Sequence, residues 1–189
     1  GEVVKQGNEV IGNWSGKRVG IFPLIPCNQS SSCERQQYEM CSNYNYLGSR
    51  CDGGFAEYVI VPIWNLIELP NSVSFEEAAM LEPAAVALHA IRRIDLTKVS
   101  SVALLGLGTI GIVIAQWLYI YGIKTVIATG HNVKHGKLMQ EVTDLKYNYI
   151  DARNRNIVEE ILKTESRNGV DVVIDCVGTS ESLADAMNS

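Results

Sequence analysis

Hydrophobic and polar positions give this chain two textures. From Gly1 to about Leu69, apolar residues come in short alternating runs, Arg18-Val-Gly-Ile-Phe22, Phe55-Ala-Glu-Tyr-Val-Ile-Val61 and Leu66-Ile-Glu-Leu69. Successive side chains of a strand point to opposite faces, so this alternation, punctuated at Gly53-Gly54, predicts antiparallel β structure. Between the first two strands, Cys27 to Cys51 is too polar and irregular to be core. Ser74-Phe-Glu-Glu77 carries a capping-box signature and opens a helical region running to about Ile94. Pro83 has no backbone N–H to donate, so two short helices broken at that residue are expected.

From Val102 the pattern changes to continuous apolar runs separated by helix-compatible segments. Val102-Ala-Leu-Leu105 leads into Gly106-Leu-Gly-Thr-Ile-Gly111, then into the apolar segment Ile112 to Tyr121, closed by Gly122. Lys124 to Thr129 is a second buried strand and Asn148 to Asp151 a weaker third. A helix is expected over Asn156 to Glu165, with Ile157, Val158, Ile161 and Leu162 on its apolar side. Val170 to Val177 forms a fourth strand ending at Gly178. Strands buried on both faces and alternating with helices predict a parallel sheet flanked by helices. A full doubly wound sheet has about six strands. The fold class expected is therefore α/β, a truncated Rossmann doubly wound sheet preceded by part of a β domain, with a further helix beginning near Ser189. Trp117, Tyr119 and Tyr121 are expected in helix–sheet packing, and Cys176 as a small buried hydrophobe.

The glycine pattern changes the picture from fold to chemistry. In a strand–turn–helix setting, Gly106 permits the tight turn and Gly108 lets the backbone approach a pyrophosphate. Gly111 permits close helix–strand packing. The helix N-terminus offers unpaired N–H groups to phosphate oxygens. The expected cofactor contacts are Gly106, Gly108, Thr109, Ile110 and Gly111, with Gly130 at the end of the second strand and Val177 and Gly178 at the end of the fourth. The alternative is a plain βα turn.

Composition narrows the partners. The 189 residues are 47% hydrophobic, enough for a real core, and the formal net charge is −5 with no basic run. A nucleic-acid partner is not expected. No apolar stretch reaches membrane-spanning length and no signal peptide is read, so neither a membrane role nor export is expected and the cytoplasm is the expected compartment. Five cysteines, three of them clustered, suit a reducing compartment and metal or incidental use better than disulfides.

Several segments together resemble one family. Lys17-Arg18-Val19 leading to Phe22-Pro-Leu-Ile-Pro-Cys27, Tyr46-Leu-Gly-Ser-Arg50, Asp52 to Val59, Leu81-Glu-Pro-Ala-Ala-Val-Ala-Leu-His-Ala90 and Gly106 to Gly111 occur in the order found in the zinc-dependent medium-chain alcohol and polyol dehydrogenases. The branch resembled most is that of galactitol-1-phosphate and sorbitol dehydrogenases. The resemblance implies a partial GroES-like domain over residues 1–95, with a cysteine lobe at 27–51, and a partial Rossmann domain over 96–189. It implies a nicotinamide cofactor, NAD or NADP, and zinc. The substrate implied is a small polyol or polyol phosphate, and a homo-oligomer is implied only for a full-length protein.

Three departures from the family qualify this. Of its catalytic-zinc ligands only Glu82 matches; the segment resembling Gly1-Glu-Val-Val4 follows the family's His-Glu pair, so the chain as given is expected to be inactive. The bland reading of Glu82 is a carboxylate at a helix N-terminus. In the structural lobe, Cys27, Cys33 and Cys41 take the first, third and fourth places, but Ser30 takes the second, and a hydroxyl is a weaker zinc donor than a thiolate. Occupancy by zinc and a metal-free loop both stay open; Cys51 could contribute only if its loop folds back. Finally, no acidic residue lies between Ile112 and Gln140, where an NAD-specific domain places a carboxylate for the ribose hydroxyls. His131, Asn132, Lys134, His135 and Lys137 follow instead, which leans towards NADP, or are simply a solvated helix face. His89 is expected to be a helix residue rather than a ligand. The reading is a piece of a zinc-dependent NAD(P) polyol dehydrogenase, and its rivals are a non-catalytic nucleotide-binding relict and a zinc-independent quinone reductase of the same superfamily, against which the cysteine lobe argues.

Overall fold

A computed structural model describes residues 1–143, 146–153, 156–164 and 169–189. The chain divides into two compact units, Gly1–Leu81 and Glu82–Ser189.

The first unit is built from short antiparallel pairs. β1 (Val19–Ile21) pairs with β4 (Leu66–Glu68), and β2 (Leu24–Ile25) pairs with β3 (Asn45–Tyr46). Asn65 is buried, and its Nδ2 donates to the carbonyls of Phe22 (2.6 Å) and Leu24 (2.7 Å), which fixes the step between β1 and β2. The amide thereby satisfies two backbone carbonyls, while its own Oδ1 is buried with no hydrogen-bond partner among the described residues. Residues 55–61, expected as a strand, form none. The segment has no strand partner among the described residues, and Phe55 and Ile60 are fully exposed. Alternation marks a chain able to pair, but a strand exists only where a neighbour accepts its hydrogen bonds.

The capping box is present: Ser74 Oγ accepts from the Glu77 amide (3.1 Å) and Glu77 Oε2 accepts from the Ser74 amide (2.7 Å), starting α2 (Phe75–Ala78). α3 follows as Leu81–Ile91. The break between the two helices falls at Ala79-Met80 rather than at Pro83, and the second ends before Ile94. Pro83 lies in the first turn of α3, where the missing N–H has no intrahelical partner to lose.

The second unit is a four-stranded parallel sheet in the order β7-β6-β5-β8. Its strands are β5 (Ser101–Leu105), β6 (Thr125–Gly130), β7 (Lys146–Asp151) and β8 (Val172–Asp175). β7 starts two residues earlier than the sequence suggests, and β8 is shorter at both ends. Its helices are α4 (Thr109–Ile120), α5 (Val133–Val142), α6 (Ile157–Thr164) and α7 (Ser180–Asn188). α6 reproduces the expected helix up to Thr164; Glu165 lies outside the described residues. Alternate residues of β5 feed opposite cores. Val102 and Leu104 join Ile114, Leu118, Val126 and Met139 on one face, whereas Ala103 and Leu105 join Ile127, Ile150 and Ile161 on the other. Truncating one such buried Leu or Ile would cost about 2–5 kcal/mol. Trp117 is part-buried and donates to the Ala84 carbonyl (3.1 Å), but Tyr119 and Tyr121 are 42% and 49% exposed, correcting their expected role in packing. Helices cover a parallel sheet whose strand order reverses beside β5, the α/β arrangement expected of a Rossmann unit.

Candidate functional site

The loop between β5 and α4 leaves the carboxyl edge of the sheet next to the strand-order reversal, where open α/β sheets bind ligands. Gly106 has φ +92°, and a Cβ there would lie 2.6 Å from Val177 Cγ2. Its amide and that of Leu107 both donate to the Thr129 carbonyl, at 3.2 and 2.7 Å, tying the turn to the end of β6. A Cβ on Gly111 would collide with the Gly106 carbonyl oxygen. The close approach of α4 is therefore to the turn itself rather than to the strand. Gly108 differs: it is the N-cap of α4, has extended backbone at φ −90°, and a Cβ there would meet nothing within 4 Å. No local packing calls for a glycine at 108; approach by something outside the chain would.

Among the described residues the amides of Gly108, Thr109, Ile110 and Gly111 donate to no acceptor of the chain. Four donors at one helix N-terminus, carrying its positive dipole end, form a ready anion site. The cradle thus starts at Gly108, since the two preceding amides are spent on Thr129. Gly130 lies across from it, its Cβ direction 3.5 Å from Leu107 Cβ. Val177 is half exposed and walls the loop over Gly106. All eight sequence-assigned cofactor residues come to this one edge.

Two residues support the loop in ways the sequence did not suggest. His135, on α5, is part-buried, and its Nδ1 lies 2.8 Å from the Leu107 carbonyl. A carbonyl can only accept, so Nδ1 carries the proton and Nε2 is left as the other ring nitrogen. His135 is thus a tether on the glycine loop, not a member of the solvated face that Lys134 and Lys137 form. Asp175 ends β8: its Oδ1 accepts from the amides of Val177 (2.8 Å) and Gly178 (3.2 Å), and its Oδ2 from Ser182 Oγ (2.8 Å). Burial pushes this carboxyl upward, but those three donors outweigh it and hold it below its ordinary range. Because Val177 and Gly178 give their amides to Asp175, they can border a ligand but not donate those amides to it. Neighbouring Cys176 is part-buried, and burial followed by the Asp175 charge raises its thiol pKa, which disfavours the thiolate.

At its carboxyl end β6 closes on Gly130, and Asn132 Oδ1 caps α5 through the Lys134 amide (3.0 Å). His131 and Lys134 are exposed. The nearest strand-end carboxylate is one strand further on: Asp151, paired with Gly130 in register, is held at about 2 by the Arg153 guanidinium that bonds it.

The cysteine lobe is a separate cluster in the first unit. α1 (Ser31–Glu34) is capped by Ser30, and Asn28 and Gln36 take left-handed φ values of 56° and 58° to turn the chain around it. Cys27 Sγ lies 4.0 Å from Cys33 Sγ and 3.4 Å from Cys41 Sγ, and the three sulfurs fall within 4.8 Å of one another. A zinc–sulfur bond of ~2.3 Å in a tetrahedron separates neighbouring sulfurs by roughly 3.8 Å, so these thiols fit a tetrahedral zinc. The Cys27 amide points at Cys41 Sγ (3.4 Å) and lowers that thiol's pKa. Cys51 is exposed and stands apart from the trio. Glu82 is exposed in the first turn of α3, and the cysteine trio is the one cluster of three or more potential metal ligands among the described residues. His89 is exposed, with Nε2 3.4 Å from Arg93 Nη2. No helix among the described residues is long and apolar enough to cross a membrane.

Comparison with known proteins agrees with this geometry. Residues 1–71 match the alcohol dehydrogenase GroES-like domain family. L-idonate 5-dehydrogenase from Vitis vinifera is 30% identical across the whole chain, which covers 52% of that protein. Galactitol 1-phosphate 5-dehydrogenase from Escherichia coli K12 is 38% identical over 60% of the chain and 33% of its own length. A protein from Sinorhizobium meliloti 1021, described as a zinc-binding dehydrogenase and crystallised bound to NADP, superimposes with a TM-score of 0.91 at 32% identity, over 100% of this chain and 55% of its own. The chain thus spans about half the length, or less, of the relatives it matches. Residues 1–71 thus carry the alcohol dehydrogenase GroES-like domain, and the chain as a whole, with its parallel α/β unit opening on a glycine-rich loop, is similar to alcohol and polyol dehydrogenases.

Proposed function

We propose that this chain carries the cofactor-binding part of an NAD(P)-dependent dehydrogenase that oxidises a secondary alcohol of a polyol or polyol phosphate. The observation that carries the reading is the run of four unengaged amides at Gly108–Gly111, at the carboxyl edge beside the strand-order reversal. Those amides bind the pyrophosphate, Gly108 admits it, and Val177 borders the cofactor. The protein's work is to orient the nicotinamide and exclude water, while hydride acceptance belongs to the cofactor. Glu82 would serve as one carboxylate of the family's catalytic zinc set, a metal whose chemistry is to polarise the alcohol oxygen. One carboxylate does not retain zinc, so the chain on its own binds cofactor without turning over polyols. Cys27, Cys33 and Cys41 hold a second, structural zinc.

The ribose end favours NADP. No carboxylate ends β6 to repel a 2′-phosphate, and His131 and Lys134 offer cationic or titratable groups there. Titrating the chain with NADPH and NADH, following energy transfer from tryptophan, tests both statements. Saturable binding with NADPH at least as tight as NADH is expected. A strong preference for NADH would refute the NADP assignment, and binding of neither would refute the function.

A further inference from the structure

The cysteine lobe contains a fourth donor that its sulfurs alone do not reveal. Ser30 Oγ stands 3.3 Å from Cys33 Sγ and 3.9 Å from Cys41 Sγ. In a tetrahedral site with a zinc–oxygen bond of ~2.0 Å and zinc–sulfur bonds of ~2.3 Å, the oxygen–sulfur edge is roughly 3.5 Å. The two observed separations bracket that edge, just as the two sulfur–sulfur separations of 3.4 and 4.0 Å bracket theirs. We propose that Ser30 supplies the fourth donor, making the lobe a three-thiolate, one-hydroxyl zinc site.

The hydrogen bonding at Ser30 is compatible with that role. A hydroxyl has one proton and two lone pairs. One lone pair accepts the Cys33 amide (3.3 Å), which caps α1. The proton reaches the Cys33 sulfur when no metal is present, and the second lone pair is free to point at a cation held by the thiolates. The Cys33 amide on Ser30 Oγ and the Cys27 amide on Cys41 Sγ are the outer-layer donors that orient ligand atoms and stabilise their negative charge. Cys33 and Cys41 are buried and Cys27 and Ser30 are part-buried, so one edge of the tetrahedron stays within reach of water. Such a site exchanges its metal more readily than one closed by four thiolates, because the hydroxyl is the harder and weaker donor for zinc.

The proposal rests on the metal reading of the three cysteines, and the test separates the two. The 189-residue chain is titrated with Co2+ alone, then back-titrated with Zn2+, for wild type, Ser30→Gly and Ser30→Cys. Glycine is chosen because it costs an N-cap only a few tenths of a kcal/mol, so loss of the cap does not mimic loss of a ligand. Wild type is expected to bind one Co2+ with tetrahedral absorption bands. Ser30→Gly should weaken binding about fivefold or more and shift those bands, and Ser30→Cys should tighten it about tenfold or more while raising sulfur-to-cobalt absorption by about one third. Circular dichroism of each metal-free variant confirms that it folds. Wild-type binding with an unchanged affinity and spectrum in Ser30→Gly would overturn the Ser30 assignment alone. Absence of Co2+ binding by folded wild type would overturn the lobe as a metal site altogether.

Discussion

The glycine loop and the cysteine lobe present ligand atoms by opposite means. Behind the loop, all five residues of β5 are buried between two apolar clusters, so the position of each amide follows from close packing. The lobe has a four-residue helix, a three-residue 3-10 turn at Tyr38–Met40 and two left-handed non-glycine residues. Its buried residues are chiefly Cys33 and Cys41, the donors themselves. One region would keep its geometry without a ligand. The other places its chemistry where its core should be, and so should depend on what binds there.

That contrast can be broken by substitution. The largest effect is expected for Gly111→Val, whose side chain has no room beside the Gly106 carbonyl. It should lose about 3 kcal/mol in urea unfolding, the upper end for overpacking, together with NADPH binding. Metal removal should do the reverse. Chelator treatment is expected to speed proteolytic cleavage within residues 27–51 by about tenfold while changing NADPH affinity less than about twofold. Equal protection of the lobe with and without zinc would contradict the contrast.

Acid should weaken the sheet through Asp171. Its carboxylate accepts from Ser100 Oγ (2.6 Å) and from the amides of Ser100 (2.7 Å) and Ser101 (2.9 Å), and these bonds lower it from 3.8 to about 2. A folded-state pKa below the unfolded one gives stability that is complete above the unfolded value and lost as pH falls through the folded one. Unfolding measured between pH 5 and pH 2 should therefore lose stability on acidification, and Asp171→Asn should flatten that loss. The smallest effect is assigned to His135→Ala, which removes the tether on Leu107. A loss of about 1 kcal/mol in NADPH binding, roughly fivefold, is expected, with recovery in His135→Gln if a donor is what matters.

Much of the second unit was legible because its signals are local. Val102–Leu105 and Thr125–Gly130 are apolar runs long enough to be buried on both faces, and Gly106 and Gly111 between them have steric reasons written in their spacing. What stayed hidden depends on non-local pairing. Residues 55–61 alternate like a strand, yet alternation does not specify a hydrogen-bonding partner. Pro83 looked like a break because composition does not distinguish the first turn of a helix from its middle. His135 looked solvated because only the fold brings residue 107 beneath its ring. Asp175 was passed over for Val177 and Gly178, although an aspartate closing a strand two residues before an exposed Val-Gly pair is a recognisable turn signal. Ser30 was visible as a departure from four cysteines, but its distance from Cys33 Sγ was not.

The most direct test of the cofactor claim uses the one loop glycine with open space around its Cβ direction. Gly108→Val should fold, with stability reduced by about 1 kcal/mol at the N-cap. Its side chain would stand where the pyrophosphate approaches, so NADPH titration should show binding lost or weakened at least about a hundredfold, ~2.7 kcal/mol. A folded Gly108→Val that binds NADPH as tightly as wild type would contradict the account.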